Sequence, residues 1–371
     1  MYTIKCDFCG STEYKEVYKP IGTKRNNRVC ICQYCGLMFS IHDDVPYSRE
    51  PNISGDADWG NVRFCKGQRF DVVKDMIDIT KAERILDVGS SRGHFVRWAH
   101  EQNRNAEIMA IEPDTRVIGD YVNEFDVIGE RLENVKLPDN YFDFVYCMQT
   151  LEHADSASAM LRQIYECLAP DGVLFLEVPN IEAFTYPLNV EESFIDKHNF
   201  HFNKSVLCRY MAQNGFSVSV NNDNLNVRII ATKADYKAIP FISDRDPEKL
   251  IRQYAETIKA NRVTLPAVVA KINEMLDNMK VSFFGANTLF DLMVKYGGLD
   301  PQRVECLVDD YICGLVGNIH GVPIQCSDAF RVYQPDVCII LARHSADVVA
   351  ERARSFGIRN VVKFYDLLRA E

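Results

Sequence analysis

Short apolar runs alternate with amphipathic stretches through the middle of the chain, between Asn61 and Lys233. The runs RILDV, EIMAI, DVIG, FDFVYCM, GVLFLEV, FSVSV and NVRIIATK predict strands. Apolar residues three and four positions apart predict helices in VRFCKGQRFDVVKDMID, GHFVRWAHEQN, TRVIGDYVNEF, SASAMLRQIYECLA and NKSVLCRYMAQNG. Asn203 is suited to cap the last of these helices, and Gly215 to end it. Strands that alternate with helices predict an α/β fold, in which helices cover both faces of a parallel sheet.

The pattern changes on either side of this region, which divides the chain into four parts. Residues 1–60 hold short strand-like runs, five cysteines and a polar boundary stretch. Residues 61–235 form the alternating region, and residues 236–278 predict a charged connector of one or two amphipathic helices, interrupted near Pro266. Strand and helix patterns resume in residues 279–371, from KVSFFGAN to NVVKFYD, and predict a second, smaller α/β domain.

The loop after the strand RILDV is the first candidate for chemistry. A dinucleotide fingerprint would require GxGxxG, but counting from Gly89 the later glycine positions fall on Ser91 and His94. The spacing that does fit is acidic-x-Gly-x-x-x-Gly, formed by Asp87, Gly89 and Gly93. On these residues alone, a plain strand-to-helix turn is an alternative interpretation.

A second acid ends the next predicted strand. Glu112, in AIEPD, follows Gly89 by 23 residues, and a carboxylate there can accept hydrogen bonds from both hydroxyls of a ribose. Further along come IGERL, the Met148-Gln149 pair, LEH and a Pro-Asp-Gly turn before GVLFLEV. In this order, the motifs between Asn61 and Lys233 resemble those of class I S-adenosylmethionine-dependent methyltransferases, which have a Rossmann-like fold.

The resemblance implies that the cofactor is S-adenosylmethionine, bound at the carboxyl ends of the strands. Asp87 would meet the methionine amino group, Glu112 the ribose, and Glu130 with Arg131 would border the adenine. The implied cofactor-binding residues are Asp87, Gly89, Ser90, Gly93, Glu112, Pro113, Glu130, Arg131, Met148 and Gln149.

Two CxxC pairs, CDFC and CQYC, lie in the first part of the chain, with 22 residues between them. Each pair is followed by a glycine, which suits the tight turn of a metal-binding knuckle. Four thiolates in a tetrahedral array suit zinc, and a full set of four protein ligands indicates a structural ion. The predicted ligands are Cys6, Cys9, Cys32 and Cys35. Cys30 comes too early to belong to the second CxxC pair, and His42 is a weaker candidate ligand. The alternative is that the thiols are packing or redox cysteines.

The order of the parts resembles the zinc-containing sugar C-methyltransferases, which act on nucleotide-linked deoxysugars. A Gly-Ala turn, a Val-Asp strand end and the stretch GVPI of the last part match the C-terminal domain of that family. The resemblance implies that this domain helps to hold the nucleotide end of the substrate; an architectural or dimerising role is the alternative.

The family's active-site motif corresponds here to FIDKHNFHFNKS. His198 and His153 occupy its two histidine positions, whereas Lys197 replaces a glutamate and Ile195 replaces a tyrosine. Carbon methylation beside a ketone needs a base and a group that stabilises the enolate, and histidine is suited to the first role. The candidate catalytic residues are His198, His153, Lys197 and His201.

Because two positions of this motif differ, other functions stay open. These are an oxygen or nitrogen methyltransferase for another small molecule, a non-catalytic binding protein stapled by zinc, and an RNA methyltransferase. The formal net charge of −10 disfavours a nucleic-acid partner, so a small-molecule substrate is predicted. The sequence leaves the oligomeric state open.

The remaining composition bears on the compartment. No apolar run approaches the roughly 18 residues of a membrane span, and MYTIKCDFCG lacks the apolar core of a secretory signal. The 13 cysteines, an odd number scattered over 371 residues, fit reduced thiols better than a disulfide framework. A cytoplasmic protein without a membrane partner is therefore predicted.

Overall fold

The structure is a computed structural model that describes residues 4–20, 25–42, 68–115, 117–182, 198–222, 226–234, 247–314, 316–343 and 345–368. The chain forms two compact units, and the change from the first to the second falls between Thr257 and Ile258. Among the described helices, none is long and apolar enough to cross a membrane.

A seven-stranded sheet forms the centre of the first unit, in the order β10-β11-β8-β7-β4-β5-β6. Its strands are β4 (Arg84–Val88), β5 (Glu107–Ile111), β6 (Asp126–Ile128), β7 (Phe142–Met148), β8 (Leu168–Pro179), β10 (Phe216–Asn222) and β11 (Asn226–Lys233). Its helices are α1 (Gln68–Met76), α2 (His94–Gln102), α3 (Ala157–Cys167) and α4 (Lys204–Gln213). All seven predicted strands of the region are confirmed.

The five strands β4 to β8 are parallel, as predicted. The last two strands differ, because β11 runs antiparallel to both β8 and β10. No helix pattern separates FSVSV from NVRIIATK, and a parallel crossover needs a connection of a dozen or more residues. The chain therefore turns back on itself at this edge of the sheet.

The helix predicted from TRVIGDYVNEF is wrong. The described part of that stretch holds only a 3-10 turn, Gly119–Asn123, with Gly119 at φ 57°. A left-handed residue interrupts the α-helical ladder. The predicted cap of α4 is confirmed, since the side chain of Asn203 accepts a hydrogen bond from the amide of Val206 at 2.8 Å. Gly215 follows α4 with φ 88°. Residues 62–67 of the first predicted helix lie outside the described residues.

The N-terminal sheet has four strands in the order β1-β2-β3-β9. Its strands are β1 (Tyr14–Tyr18), β2 (Arg28–Cys32), β3 (Met38–Ile41) and β9 (Phe200–His201). The last strand comes from a distant part of the sequence, and Met38 pairs with His201 and Phe39 with Phe200. This pairing joins the cysteine-rich segment to the histidine-rich segment.

The second unit repeats the architecture on a smaller scale, with a six-stranded sheet in the order β14-β15-β13-β12-β16-β17. Its strands are β12 (Val281–Phe284), β13 (Cys306–Val308), β14 (Asn318–Ile319), β15 (Val322–Gln325), β16 (Val337–Ile340) and β17 (Val361–Lys363). Its helices are α6 (Thr288–Lys295) and α7 (Ala346–Ser355), and α5 (Pro247–Asn278) begins in the first unit.

An acid ends the second strand of this smaller sheet. One carboxylate oxygen of Asp309 accepts the amide of Ala286 at 2.9 Å, and the other accepts the amide of Tyr311 at 3.0 Å. The amide of Gly285 donates to the carbonyl of Val308 at 2.7 Å. These bonds fix the turn after β12 against the end of β13.

The structure corrects two further expectations. Helix α5 runs without interruption through Pro266. A proline removes one backbone bond and bends a helix, and the long helical pattern on both sides outweighs that loss here. The prediction of reduced thiols is wrong at one pair, since Cys313 and Cys326 form a disulfide, while ten other described cysteines are free. The two partners lie on either side of the β14–β15 hairpin, which brings them together.

Candidate functional site

The turn after β4 is shaped by a close neighbour. Gly89 has φ 79°, and a Cβ atom there would lie 2.2 Å from Oγ1 of Thr150. The Thr150 hydroxyl donates to the carbonyl of Val88 at 3.1 Å, so the loops after β4 and β7 lock together. Strand β4 lies between β5 and β7, where the chain changes direction across the sheet, and ligands of open α/β sheets bind at this crevice.

Tyr121 occupies the other side of the turn, and no sequence pattern predicts its role there. Its ring would be 2.6 Å from a Cβ atom on Gly93, which has φ 70° and begins α2. Its hydroxyl lies 2.7 Å from Oγ of Ser90 and donates to the carbonyl of Ser91 at 3.1 Å. The second glycine and the Ser90 hydroxyl therefore form a seat for a buried tyrosine.

Glu112 ends β5 and clamps the same turn. One carboxylate oxygen accepts the amide of Ser91 at 2.7 Å, and the other accepts the amide of Asp114 at 2.8 Å. Burial raises the pKa of Glu112, although these two amide bonds oppose the shift. Pro113, beside it, is exposed. The carboxylate has room for further hydrogen bonds, since an ionised carboxylate offers about four lone-pair sites.

Asp87 is an incompletely satisfied buried group at this crevice. Its side chain is buried, and its Oδ2 atom has no hydrogen-bond partner in the part of the chain that the structure describes. Burial, followed by the nearby Glu112, raises the pKa of Asp87 well above its usual value. A cationic group beside this carboxylate would supply the missing partner. The position therefore fits the methionine amino group that the motif implies.

The end of β7 presents Met148 and Gln149. Gln149 has φ 54°, a conformation that costs a non-glycine residue free energy and is concentrated at functional sites. Its amide nitrogen Nε2 donates to Glu177 and to Asn226, each at 3.1 Å. The sulfur of Met148 accepts the hydroxyl of Tyr146 at 2.9 Å. Both side chains are thus held in place at the crevice.

Glu130 and Arg131 follow β6, where the motif places the adenine. Glu130 accepts the amide of Arg131 at 2.8 Å. The Arg131 guanidinium donates to the carbonyl of His153 at 3.3 Å and lies 3.4 Å from Asp155. The same loop therefore borders both the predicted cofactor site and the LEH motif.

Three predicted catalytic histidines converge: His153 follows β7, His198 precedes β9, and His201 ends β9. The rings of His153 and His198 are edge-on at 4.8 Å between centroids, and those of His198 and His201 are 6.4 Å apart. The buried carboxylate of Glu152 lies 3.8 Å from Nε2 of His153. One ligand-type atom from each of Glu152, His153 and His198 lies within 4.8 Å of the others, close enough to share a proton through one intervening group.

Lys197 and His201 complete the set of predicted catalytic residues. Lys197, like Ile195, lies outside the described residues. His201 is buried in β9, and its Nε2 is 2.9 Å from Oγ of Ser40 on β3. Its ring is therefore tied to the N-terminal sheet.

The four predicted metal ligands come together in two matching knuckles. In each, the glycine after the second cysteine donates its amide to the first cysteine's carbonyl, at 2.8 Å for Gly10 and 3.0 Å for Gly36. The Sγ atoms of Cys6 and Cys35 are 3.4 Å apart, those of Cys9 and Cys32 are 3.5 Å apart, and all four lie within 4.8 Å of one another. A tetrahedral ion with bonds of about 2.3 Å needs sulfurs about 3.8 Å apart.

The crowded thiols shift one another's pKa values in opposite directions, and hydrogen bonds to Cys35 and Cys6 lower the pKa of Cys32. The hydrogen bond to Cys32 raises the pKa of Cys6 to about 12, and the same neighbour raises that of Cys35. Such thiols resist ionising together unless a divalent ion balances their charge. The geometry and the donor set fit a tetrahedral metal. Cys30 does not join the cluster, because its thiol donates to the carbonyl of Arg28 at 3.8 Å.

Asp7, between the first two ligands, was missed by sequence reasoning. Its carboxylate accepts bonds from the Ser156 hydroxyl at 2.6 Å, from the Ser158 amide at 2.9 Å and from the hydroxyl of Tyr210. The Phe8 ring stacks on Tyr210 at 4.7 Å. These contacts dock the first knuckle onto the start of α3 and onto α4.

Two protein families and several known proteins are similar to parts of this chain. Residues 63–219 match the methyltransferase domain family, and residues 235–364 match the C-methyltransferase C-terminal domain family. The chain is 20% identical over 355 residues to C-methyltransferase NovU of Streptomyces niveus, covering 88% of this chain and 83% of that protein. It is 25% identical over 250 residues to tRNA U34 carboxymethyltransferase of Desulforapulum autotrophicum, covering 62% of this chain and 74% of that protein. A solved methyltransferase from Mesorhizobium loti overlaps 45% of this chain and 98% of its own, with a TM-score of 0.38 and 15% identity.

The parallel sheet, its glycine turn and the two acids beside it define a Rossmann-like methyltransferase domain of class I. The chain is an S-adenosylmethionine-dependent methyltransferase, in which that domain precedes a C-methyltransferase C-terminal domain.

Asp87→Asn should weaken the binding of S-adenosylhomocysteine by about 10- to 100-fold, the effect of losing a charged hydrogen bond. Because the pKa of Asp87 is raised in the free protein, the native state holds a proton that the unfolded chain releases. Stability from this group therefore declines as pH rises through the raised pKa. An incoming ammonium lowers that pKa, so binding should release protons and strengthen as pH rises. Calorimetry in buffers of different ionisation enthalpy measures this release.

Asp143→Asn is a matched control. Asp143 accepts the amide of Arg84 at 2.9 Å, at the amino end of β4. That variant should lose stability without losing cofactor affinity. Unchanged proton release in Asp87→Asn would contradict the assignment.

Proposed function

We propose that the protein transfers a methyl group to carbon, next to the carbonyl of a nucleotide-linked keto-deoxysugar, with His198 as the base. The match of residues 235–364 to the C-methyltransferase C-terminal domain carries the choice of carbon. The likeness to C-methyltransferase NovU along most of both chains supports it. The sugar rests on the resemblance of the FIDKHNFHFNKS motif and of the order of modules to the sugar C-methyltransferases.

The chemistry asks for a base beside a group that favours its protonated form. A neutral imidazole at His198 would take the proton from the carbon next to the carbonyl, and the C–H electrons would pass into an enolate. Glu152 and His153 lie beside His198, and the buried carboxylate favours positive charge on the histidines after proton transfer. S-adenosylmethionine, when bound, supplies the methyl group that the carbon takes in place of its lost proton.

The contacts of the free protein support the proposed binding roles. Asp87 would hold the methionine amino group and Glu112 the ribose, while Gly89, Ser90, Gly93 and Gln149 shape the crevice. Lys197 would offer positive charge to the enolate oxygen or to a phosphate. We further propose that the four-cysteine cluster holds a structural zinc ion, and that the protein acts in the cytoplasm.

An oxygen or nitrogen acceptor is the second candidate. The chain is 24% identical over 131 residues to (S)-coclaurine N-methyltransferase of Thalictrum flavum, covering 32% of this chain. The same histidines would then deprotonate a hydroxyl or an amine. The replacement of the motif's glutamate by Lys197 favours keeping this candidate.

Incubation with methyl-labelled cofactor and a panel of keto-sugar nucleotides tests the proposal. We expect the label in a new carbon–carbon bond, seen by carbon NMR as a methyl coupled to a ring carbon. Label in a methoxy or N-methyl group would replace the proposal by the second candidate. Matched sugar nucleotides without a keto group are the control, because they lack the acidified proton. Transfer to those controls at equal rates would exclude the enolate route.

A further inference from the structure

Asn199 lies where the two histidine segments meet. Its backbone amide donates to the carbonyl of Glu152 at 2.8 Å. Its side-chain nitrogen Nδ2 donates to the carbonyl of Ala154 at 3.0 Å and, more weakly, to that of His153 at 3.5 Å. These bonds attach the residue next to His198 to the turn that carries His153, which belongs to a separate stretch of chain.

The orientation of the Asn199 amide determines a proton elsewhere. Because Nδ2 faces two carbonyl oxygens, Oδ1 must face the other way, toward Nε2 of His42 at 2.9 Å. An amide oxygen only accepts, so Nε2 of His42 must carry a proton. Nδ1 of His42 lies 2.7 Å from Oδ1 of Asn27. With the Asn27 amide in this orientation, both ring nitrogens face oxygen acceptors, so both carry protons and the ring is a cation. If the Asn27 amide is reversed, Nδ1 accepts a hydrogen bond and the ring is neutral. Nε2 is protonated in both cases.

His42 lies directly after β3 in the N-terminal module, the cysteine-rich segment that holds β1 to β3 and the four clustered cysteines. The amide of Ser40 also donates to the carbonyl of Asn199, at 2.9 Å, and β3 pairs with β9 beyond it. The module therefore contacts Asn199 through its backbone and through an imidazole. This places a side chain of the cysteine-rich segment two hydrogen bonds away from the LEH turn.

We propose that Asn199 is a positioning residue that sets His153 against His198, and that His42 holds the Asn199 amide in the required orientation. The catalytic consequence rests on the proposed function. The two rings are 4.8 Å apart and come from segments that Asn199 joins. A misplacement of about 1 Å near the reacting groups can cost about 100-fold in rate, so a single lost amide bond has a large effect.

Asn199→Asp is the first test, because it keeps the shape and the acceptor for His42 but replaces the donor to the two carbonyls. We expect kcat to fall by about 10- to 100-fold, with the affinity for S-adenosylhomocysteine unchanged. Asn103→Asp is the matched control. The Asn103 amide donates to the carbonyls of Ile79, Thr80 and Ala82, at 3.4, 3.1 and 2.7 Å. Its loss should lower the thermal midpoint and leave kcat unchanged.

A pair of variants at His42 tests the second part of the proposal, that His42 holds the Asn199 amide in its orientation. The amide nitrogen of glutamine can take the place of Nε2, whereas that of the shorter asparagine corresponds to Nδ1. His42→Gln should therefore retain most of the kcat, and His42→Asn should lose it to the same extent as Asn199→Asp. Equal activity of the two His42 variants would overturn this part, as would kcat losses in Asn199→Asp and Asn103→Asp that follow stability alone.

A readout without turnover separates this inference from the proposed function. In nitrogen-15 NMR spectra of the full chain, His42 should show a protonated Nε2 in the native protein. Asn199→Asp should shift the ring resonances of His153 and His198, and leave those of His320, which is paired with Asp291 in the second unit. Unshifted His153 and His198 resonances would refute the positioning role. If no keto-sugar is methylated but these shifts occur, only the proposed acceptor fails.

Discussion

Replacing His198 by alanine should lower kcat by about 100- to 10,000-fold, the range that general-base catalysis contributes. The affinity for S-adenosylhomocysteine should not change, because the predicted cofactor-binding residues lie on the loops after β4, β5, β6 and β7. We expect kcat to fall because the variant keeps Glu152 and His153 but loses the group proposed to take the substrate proton. The pH–rate profile should lose its acidic limb, and added imidazole should restore part of the rate.

His100→Ala is the control for this experiment. His100 lies on α2 and packs edge-on against Phe125, at 5.4 Å between ring centroids. Its loss should affect stability and not turnover. His201→Ala is not an equivalent control, because the His201 ring contacts Ser40 of the N-terminal sheet and the variant loses this contact. An active His198→Ala enzyme with an unchanged pH profile would remove His198 from the mechanism.

Cys32→Ser should abolish both metal binding and methyl transfer while S-adenosylhomocysteine still binds. Structural zinc contributes roughly 10–16 kcal/mol of apparent binding free energy to small zinc domains, so the module should not fold without it. Its loss removes the partner of β9 and the contacts of Asp7 with α3 and α4. The sheet that forms the cofactor crevice does not use these strands.

Cys30→Ser separates metal ligation from the loss of a buried thiol. Cys30 lies on the same strand as Cys32, and its thiol is outside the four-sulfur cluster. Metal analysis should find one zinc ion per chain in Cys30→Ser and none in Cys32→Ser. A fully active, zinc-free Cys32→Ser protein would show that the module does not position the histidines.

The close approach of the predicted cofactor-binding residues could be predicted because its signals are local. Asp87, Gly89 and Gly93 lie within one loop, and Glu112 ends the neighbouring strand, so strand order alone brings them together. The structure adds a reason for the glycines that spacing could not supply. Their missing side chains make room for Thr150 and Tyr121, which lie far along the chain.

The contacts between the module and the histidines could not be predicted, because they depend on pairing between distant segments. Ser40 and His201 are 161 residues apart in sequence. A two-residue strand such as β9 leaves no alternating pattern, and within their motifs Asp7 and Asn199 are not positions with a predicted role. The disulfide of the second unit likewise depends on partners that sequence spacing does not reveal.

The acid clamp of the cofactor loop has a counterpart that makes it interpretable. The carboxylates of Glu112 and Asp309 each accept one amide from the neighbouring glycine-bearing turn and one from the residue two positions further along the chain. In each case, a glycine amide of the turn also donates to the carbonyl of the residue before the acid. Both acids hold their turns in the free protein, so each has an architectural role. Asp309 thus serves as an internal reference: the loss of stability on neutralising Asp309 gives the cost of a loosened turn, and a loss of S-adenosylhomocysteine affinity in a Glu112 variant that this cost does not explain would support the proposed ribose contact.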